Sequence, residues 1–290
     1  HVVNGAGSGG LASARRAARH GAKVALVAGG PLGGTCVNSG CVPKKILWNA
    51  AECAEWLADA PDYGFEVRSG GVDWAALKRA RDAYIQRLGT IYARNIELDG
   101  IELVTGYARF TAADTVQVGD RQLSAKAILV ATGGRPSVPA VPGAELGLTS
   151  DDFFELQQRP ARVAIAGAGY IAVELAGVLN ALGSDVTLFL RGERLLSGFD
   201  EMLSDVLASE MATAGISLMA AHELQSVARE ADGTFTLAAQ HGQKHTGFDA
   251  LIWATGRVPN TASLGLDQAG VALGARGEVT VDAFQNTNVQ

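Results

Sequence analysis

Two glycine turns of one kind constrain this chain more than any other feature. Gly5, Gly7 and Gly10 form G-x-G-x-x-G between Val2 and Val3 on one side and the helical stretch Leu11 to His20 on the other, with a second strand, Lys23 to Val27, close behind. Gly167, Gly169 and Ala172 form G-x-G-x-x-A in the same setting, between a strand opening at Arg162 and a helix running to Leu182, followed by a strand from Asp185 to Leu190. Strand, glycine turn and helix in that order make one half of a doubly wound parallel sheet, where the glycines let the backbone approach a pyrophosphate at the helix N-terminus. One such turn by itself is an ordinary βα connection, and the flanking strands are what give each its weight. The expected fold is α/β, with two Rossmann-like dinucleotide-binding domains of three layers each.

Between the turns, residues 33 to 45 read GGTCVNSGCVPKK, with Cys36 and Cys41 separated by four residues. A helix beginning near Cys36 would aim its N–H groups and positive dipole at the sulfurs and favour the thiolate. Lys44 and Lys45 push the same way. Three cysteines in 290 residues do not describe a disulfide-stapled secreted domain. A zinc site needs four ligands, and His1, His20, His222, His241 and His245 all lie far off in sequence, so no metal is expected. A redox pair is the expected reading, with two buried free thiols as the alternative.

A hydrophobic content of 48%, 36 glycines and 19% charged residues give ample core for two domains. A net charge of −6 argues against nucleic acid as a partner, and the lack of a long uninterrupted apolar run argues against a membrane span. The stretch Trp74 to Ile96 has the spacing of a packed helix, followed by short strands around Leu103 to Phe110, Thr115 to Val118 and Ala127 to Val130. Pro136 to Pro142 is a stiff, proline-rich linker and marks a domain boundary. The strand from Asp185 ends in Arg191, where a carboxylate would hold the free ribose hydroxyl of NAD and an arginine instead suits the 2′-phosphate of NADP. NADPH is therefore expected there, with Arg194 assisting; the alternative is a pair of solvated surface arginines. Thiol chemistry and NADPH together point to the cytoplasm.

The run GGTCVNSGCVPKKILWNAAE, taken with the other motifs in order, resembles the redox helix of the flavin-dependent pyridine nucleotide-disulfide reductases, and within them the glutathione reductases. The similarity covers nearly the whole chain. It implies FAD on the first turn, held by Gly5, Gly7, Ser8, Gly9, Gly10, Gly34, Thr35, Ala108, Thr132 and Gly133. It implies NADPH on the second, held by Gly167, Gly169, Tyr170, Ile171, Arg191, Arg194, Gly256 and Arg257, with Tyr170 covering the nicotinamide pocket. Cys36 and Cys41 would form the redox disulfide, Cys41 against the flavin and Cys36 facing the substrate, while Lys44 pairs with Glu174. Ser8, Arg15 and Tyr92 would contact glutathione disulfide, the implied substrate.

Two Ala-Thr-Gly turns, at Ala131 to Gly133 and Ala254 to Gly256, mark the exits from the two nucleotide domains in this resemblance. The implied organisation is a first FAD-binding part over 1–135, an NADPH domain over 136–258, and a return toward the FAD domain over 259–290. Thr280 to Gln290 resembles the approach to a further flavin-binding Gly-Asp motif. The resemblance implies a C-terminal interface domain, which forms the homodimer and completes the site from the partner and is expected to be absent from these residues, so these residues alone are expected to be inactive. Ala28 stands where the family carries an acidic ribose ligand, Asn4 where it is usually apolar, and Ser197 where an arginine grips phosphate. A lost charge-assisted pair costs roughly 1.5–3 kcal/mol. Another reductase of the family, similar to dihydrolipoamide dehydrogenase, and a redox-inactive dinucleotide-binding fragment stand as alternatives.

Overall fold

The structure is a computed structural model that describes residues 1–68 and 70–289. Its elements follow in chain order. Strand β1 (Val2–Asn4) leads through the first glycine turn into α1 (Ser8–Arg19) and β2 (Ala25–Ala28). Helices α2 (Gly34–Asn38), α3 (Cys41–Asp59) and α4 (Trp74–Leu98) follow, then β3 (Glu102–Thr105), β4 (Ala108–Ala112), β5 (Thr115–Val118), β6 (Arg121–Ser124) and β7 (Ile128–Val130). After β8 (Gly134–Pro136) and β9 (Leu148–Thr149) come β10 (Arg162–Ala166), α5 (Tyr170–Ala181), β11 (Asp185–Phe189), α6 (Glu201–Thr213) and β12 (Ser217–Met219). The last strands are β13 (Leu224–Arg229), β14 (Phe235–Ala239), β15 (Lys244–Phe248), β16 (Ala250–Trp253) and β17 (Arg257–Pro259).

Two compact units share these elements: one takes His1–Cys41, Ala83–Arg135 and Arg257–Gln290, the other Val42–Asp82 and Pro136–Gly256. Gln290 itself lies outside the described residues. In the first unit the sheet order is β3-β2-β1-β7, every pairing parallel. A parallel sheet is covered on both faces, which is why all three residues of β1 are buried. Val3 and Leu26 pack with Leu11, Ala14 and Ile96 on one face, and Val2, Val27 and Val104 pack with Phe110, Val116 and Leu264 on the other. The antiparallel meander β4-β5-β6 supplies much of that second layer.

The second unit repeats the plan with a parallel sheet of order β12-β11-β10-β16-β9. Helix α5 covers one face through Leu175 and Leu179, joined there by Leu47 and Ala51 of α3 and by Trp74. The meander β13-β14-β15 covers the other, where Phe189, Leu237, Phe248 and Trp253 meet. Both sheets bring the carboxyl ends of their strands to the same edge as their glycine turn, the ligand edge of a doubly wound fold.

One expectation changes in the cysteine segment. The run does not form one helix starting near Cys36; it forms the short α2, breaks at Ser39 and Gly40, and starts again with Cys41 as the first residue of α3. A Cβ on Gly40 would lie 2.8 Å from the Thr35 carbonyl oxygen, so the turn at Gly40 lies too close to α2 for any side chain. The 19-residue helix therefore directs its N-terminus at Cys41.

Candidate active site

The first glycine turn opens onto a cleft of about 970 Å³. Gly5 adopts a φ of +115°, and a methyl there would fall 2.2 Å from the Ala131 carbonyl oxygen, so only glycine makes this turn. Gly10 is buried where α1 crosses β1, while Ser8 and Gly9 are exposed in the first turn of the helix. The N-cap of α1, Gly7, offers no side-chain oxygen to the first-turn N–H groups, and no acidic residue lies among them. Uncapped donors at a helix start are what a phosphate needs. Gly5, Gly7, Gly34, Thr35, Ala108, Thr132 and Gly133 line the cleft together, seven of the residues expected to hold FAD.

Asn4 also lines this cleft. It is 4% exposed, and its Nδ2 is enclosed without a hydrogen-bond partner. A buried amide in that state costs about 1–3 kcal/mol. Ala28 is buried beside Leu26 and Ala6 rather than in the cleft wall, which passes to Gly29 and Gly30. The exposed Tyr107 ring lies against Gly29 and shares that wall. Space, bare helix N-terminus and an orphaned amide all fit a dinucleotide with its pyrophosphate over Gly7.

Thr35 belongs to the cleft wall, which sets Cys36 next to it in α2, half-buried. Cys41 is exposed at the head of α3. Asn38 fixes the intervening turn, its Nδ2 donating to Leu32 O at 3.1 Å and Gly34 O at 2.8 Å. One turn further along α3, Lys44 Nζ donates to Glu174 Oε1 on α5 at 2.8 Å, with the two side chains 24% and 36% exposed. Sequence spacing of 130 residues is thus closed by one ion pair.

The substrate residues expected from the resemblance are placed differently from one another. Arg15 is held by Asp99, its Nε 2.6 Å from Oδ2, and Arg19 reaches the other oxygen at 3.3 Å. The hydrogen bond from Arg15, with Arg19 behind it, keeps the Asp99 carboxyl below its ordinary range. Arg15 would have to exchange this partner to meet a substrate carboxylate. Tyr92 packs at the edge of the core formed by Leu11, Ala14 and Ile96.

The second glycine turn opens onto a cleft of about 930 Å³, lined by Gly167, Gly169, Arg191, Arg194 and Gly256 among others. Gly169 again caps its helix without a side chain, leaving the first turn of α5 open to an anion. Tyr170 is 57% exposed at the start of α5, and Ile171 packs against the core below. Arg194 is engaged by α6, donating to Glu201 Oε1 at 2.8 Å and Asp205 Oδ1 at 2.6 Å. Arg257 belongs to the first unit, where its Nη2 donates to Gly134 O.

Residues 107, 222 and 260 line the clefts but escape a reading of motifs along the chain. Tyr107 follows β3 and His222 follows β12, both just past the carboxyl end of a parallel strand. Strand-end position was the available signal, since ligands gather there in doubly wound sheets. Among the described residues, no group of three or more His, Cys, Asp or Glu side chains could hold a metal ion, and no helix is long and apolar enough to cross a membrane.

Two bare-helix clefts on parallel sheets, one of them with Cys36 next to its wall residue Thr35, define a two-dinucleotide redox protein. The chain belongs to the pyridine nucleotide-disulphide oxidoreductase family, whose model matches residues 1–290. It is 47% identical over 299 residues to the glutathione reductase of Schizosaccharomyces pombe (strain 972 / ATCC 24843), and 41% identical over 305 residues to that of Yarrowia lipolytica (strain CLIB 122 / E 150). All of this chain is covered in both alignments, and it spans 64% and 65% of the length of those relatives. Among solved structures it is similar to the HOCl-induced flavoprotein disulfide reductase RclA from Escherichia coli, in its Cu(II) complex, with a TM-score of 0.88 and 26% identity. That match covers 100% of this chain and 63% of the other.

Proposed function

We propose that this chain carries both nucleotide sites and the reactive thiols of an NADPH-dependent, FAD-containing enzyme that reduces glutathione disulfide. The observation that carries the reading is the position of the cysteines: Cys36 follows a residue of the first cleft's wall, and Cys41 heads the long helix α3. The glutathione reductases at 47% and 41% identity support the choice of disulfide. In the first cleft, Gly5, Gly7, Thr35 and Thr132 would hold FAD, and in the second, Gly167, Gly169 and Arg191 would hold NADPH. The working protein in this reading is a cytoplasmic homodimer.

The thiol steps belong to the chain itself. Cys36 thiolate attacks one sulfur of glutathione disulfide, forming a mixed disulfide as the substrate S–S bond breaks and the first glutathione leaves as a thiolate that takes up a proton. Cys41 thiolate then attacks Cys36 Sγ, closing the Cys36–Cys41 disulfide and releasing the second glutathione. FAD and NADPH, when bound, supply the electron pair that reopens that disulfide. The N-terminus of α3 stabilises negative charge at Cys41, which suits it to the resolving thiolate.

Cys36→Ser in the intact polypeptide tests the assignment. NADPH oxidation by an artificial electron acceptor should persist, while turnover of glutathione disulfide should be lost. Parent-rate disulfide reduction by this variant would show that Cys36 is not the attacking thiol.

A further inference from the structure

A site for NADPH has to meet a 2′-phosphate of nearly two negative charges at the end of β11. Arg191 stands there, in the wall of the second cleft. Arg194, three residues on, has both terminal nitrogens of its guanidinium engaged by Glu201 and Asp205, and the hydrogen bond it donates to Asp205 in particular holds its proton more firmly than usual. Ser197 brings no charge. Glu193 and Glu223 add carboxylates to the same wall, although Glu223 Oε2 accepts from Gln240 Nε2 at 2.9 Å. Without another cation, Arg191 alone would face the phosphate.

His222 lies in that wall too. It is placed by three backbone bonds that tie the end of β12 to the segment flanking Arg191. Leu190 N donates to Met219 O at 2.9 Å, His222 N donates to Leu190 O at 2.8 Å, and Ala221 N donates to Gly192 O at 2.9 Å. We propose that His222 is the second cation of the 2′-phosphate site and binds the phosphate monoester together with Arg191, an assignment that rests on the second cleft taking NADPH.

The ring geometry adds a consequence. His222 Nδ1 lies 2.7 Å from Ala220 O, and a carbonyl only accepts, so Nδ1 carries a hydrogen. Nε2 is then an acceptor in the neutral ring and a donor only in the imidazolium. A phosphate oxygen requires the donor, so the imidazolium is the form of His222 that binds the 2′-phosphate. His245 of β15 meets the ring at 5.5 Å between ring centroids, and the charged residues of the same cleft wall are Arg191, Glu193, Arg194 and Glu223. Burial, followed by His222 and Arg162, keeps His245 below its ordinary range.

Calorimetric titration of the FAD-loaded protein with 2′,5′-ADP and with 5′-AMP isolates the phosphate, since the two probes differ only there. His222→Ala should weaken 2′,5′-ADP about tenfold at pH 6.5 while leaving 5′-AMP within about twofold. His222→Arg should keep the affinity for 2′,5′-ADP and remove its decline between pH 6.5 and pH 8, a range in which the phosphate's own loss of its second proton works toward tighter binding. Unchanged 2′,5′-ADP binding in His222→Ala, or equal weakening of both probes, overturns the proposal. A parent protein with no preference for 2′,5′-ADP over 5′-AMP overturns instead the NADPH reading on which it stands.

Discussion

Gly10 and Ala172 hold the third position of the two glycine turns, yet the space beside them differs. A methyl on Gly10 would lie 1.7 Å from the Gly5 carbonyl oxygen, a backbone atom that cannot swing aside. Ala172 carries that methyl already, fully buried against Leu175 and Val163. Gly10→Ala should therefore destabilise the first unit by about 3 kcal/mol, the upper range for overpacking, while Ala172→Gly should cost about 1 kcal/mol through helix propensity. Urea denaturation of the two variants measures both, and equal losses would mean that α1 can retreat from β1. Glycines and cysteines were the legible residues of this sequence because their demands are local: a positive φ, a close approach, a spacing. Arg15 and Arg194 were not. Their side chains answer to Asp99, Glu201 and Asp205, and a carboxylate 84 residues from Arg15 leaves no mark on the sequence around it.

At the scale of elements, the glycine turns predict their flanking strands and helices because a phosphate-binding βα unit has one order. The strand positions follow within a few residues, from β1 at Val2 to β11 ending at Phe189. The split between α2 and α3 was less legible, since no residue from Cys36 to Cys41 is excluded from a continuous helix, and Gly40 only weakens one. Contact decides it: Thr35 O and Cys36 Cα press on the Gly40 position at 2.8 and 3.4 Å. Gly40→Ala should push the Gly40 turn away from α2 and cost about 1–3 kcal/mol. Because the same shift changes the separation of Cys36 and Cys41, their oxidation to a disulfide by a mild oxidant should slow along with the fall in the urea midpoint. A variant with parent stability and parent oxidation rate would show that the turn accommodates the methyl.

At the scale of the molecule, the two units are not two consecutive pieces of chain. Val42–Asp82 leaves the first unit's sequence and packs into the second, where Leu47 is 1% exposed and Trp74 6%. Trp74 Nε1 donates to Leu156 O at 2.9 Å, its ring meets Phe153 edge-on at 6.3 Å, and Arg81 donates to the Phe154 carbonyl. Trp48 packs beside Gly177 on α5, 3.6 Å from where a Cβ would stand. Helical periodicity marks the stretch Trp74 to Ile96 as a packed helix in the sequence but cannot say which sheet it covers, since either core would accept its apolar stripe. Full burial of a large apolar side chain contributes about 1.5–3 kcal/mol, so Leu47 and Trp74 alone account for roughly 3–6 kcal/mol against a typical domain stability of about 5–15 kcal/mol. Residues 136–256 expressed alone, nearly the 136–258 that the sequence marks as the NADPH domain, should therefore lack a cooperative thermal transition and bind a hydrophobic dye. Adding residues 42–82 through a flexible linker should restore the transition in circular dichroism. If residues 136–256 alone melt as cooperatively and at the same temperature as that fusion, the helical excursion is a passenger on the second unit and no part of its core.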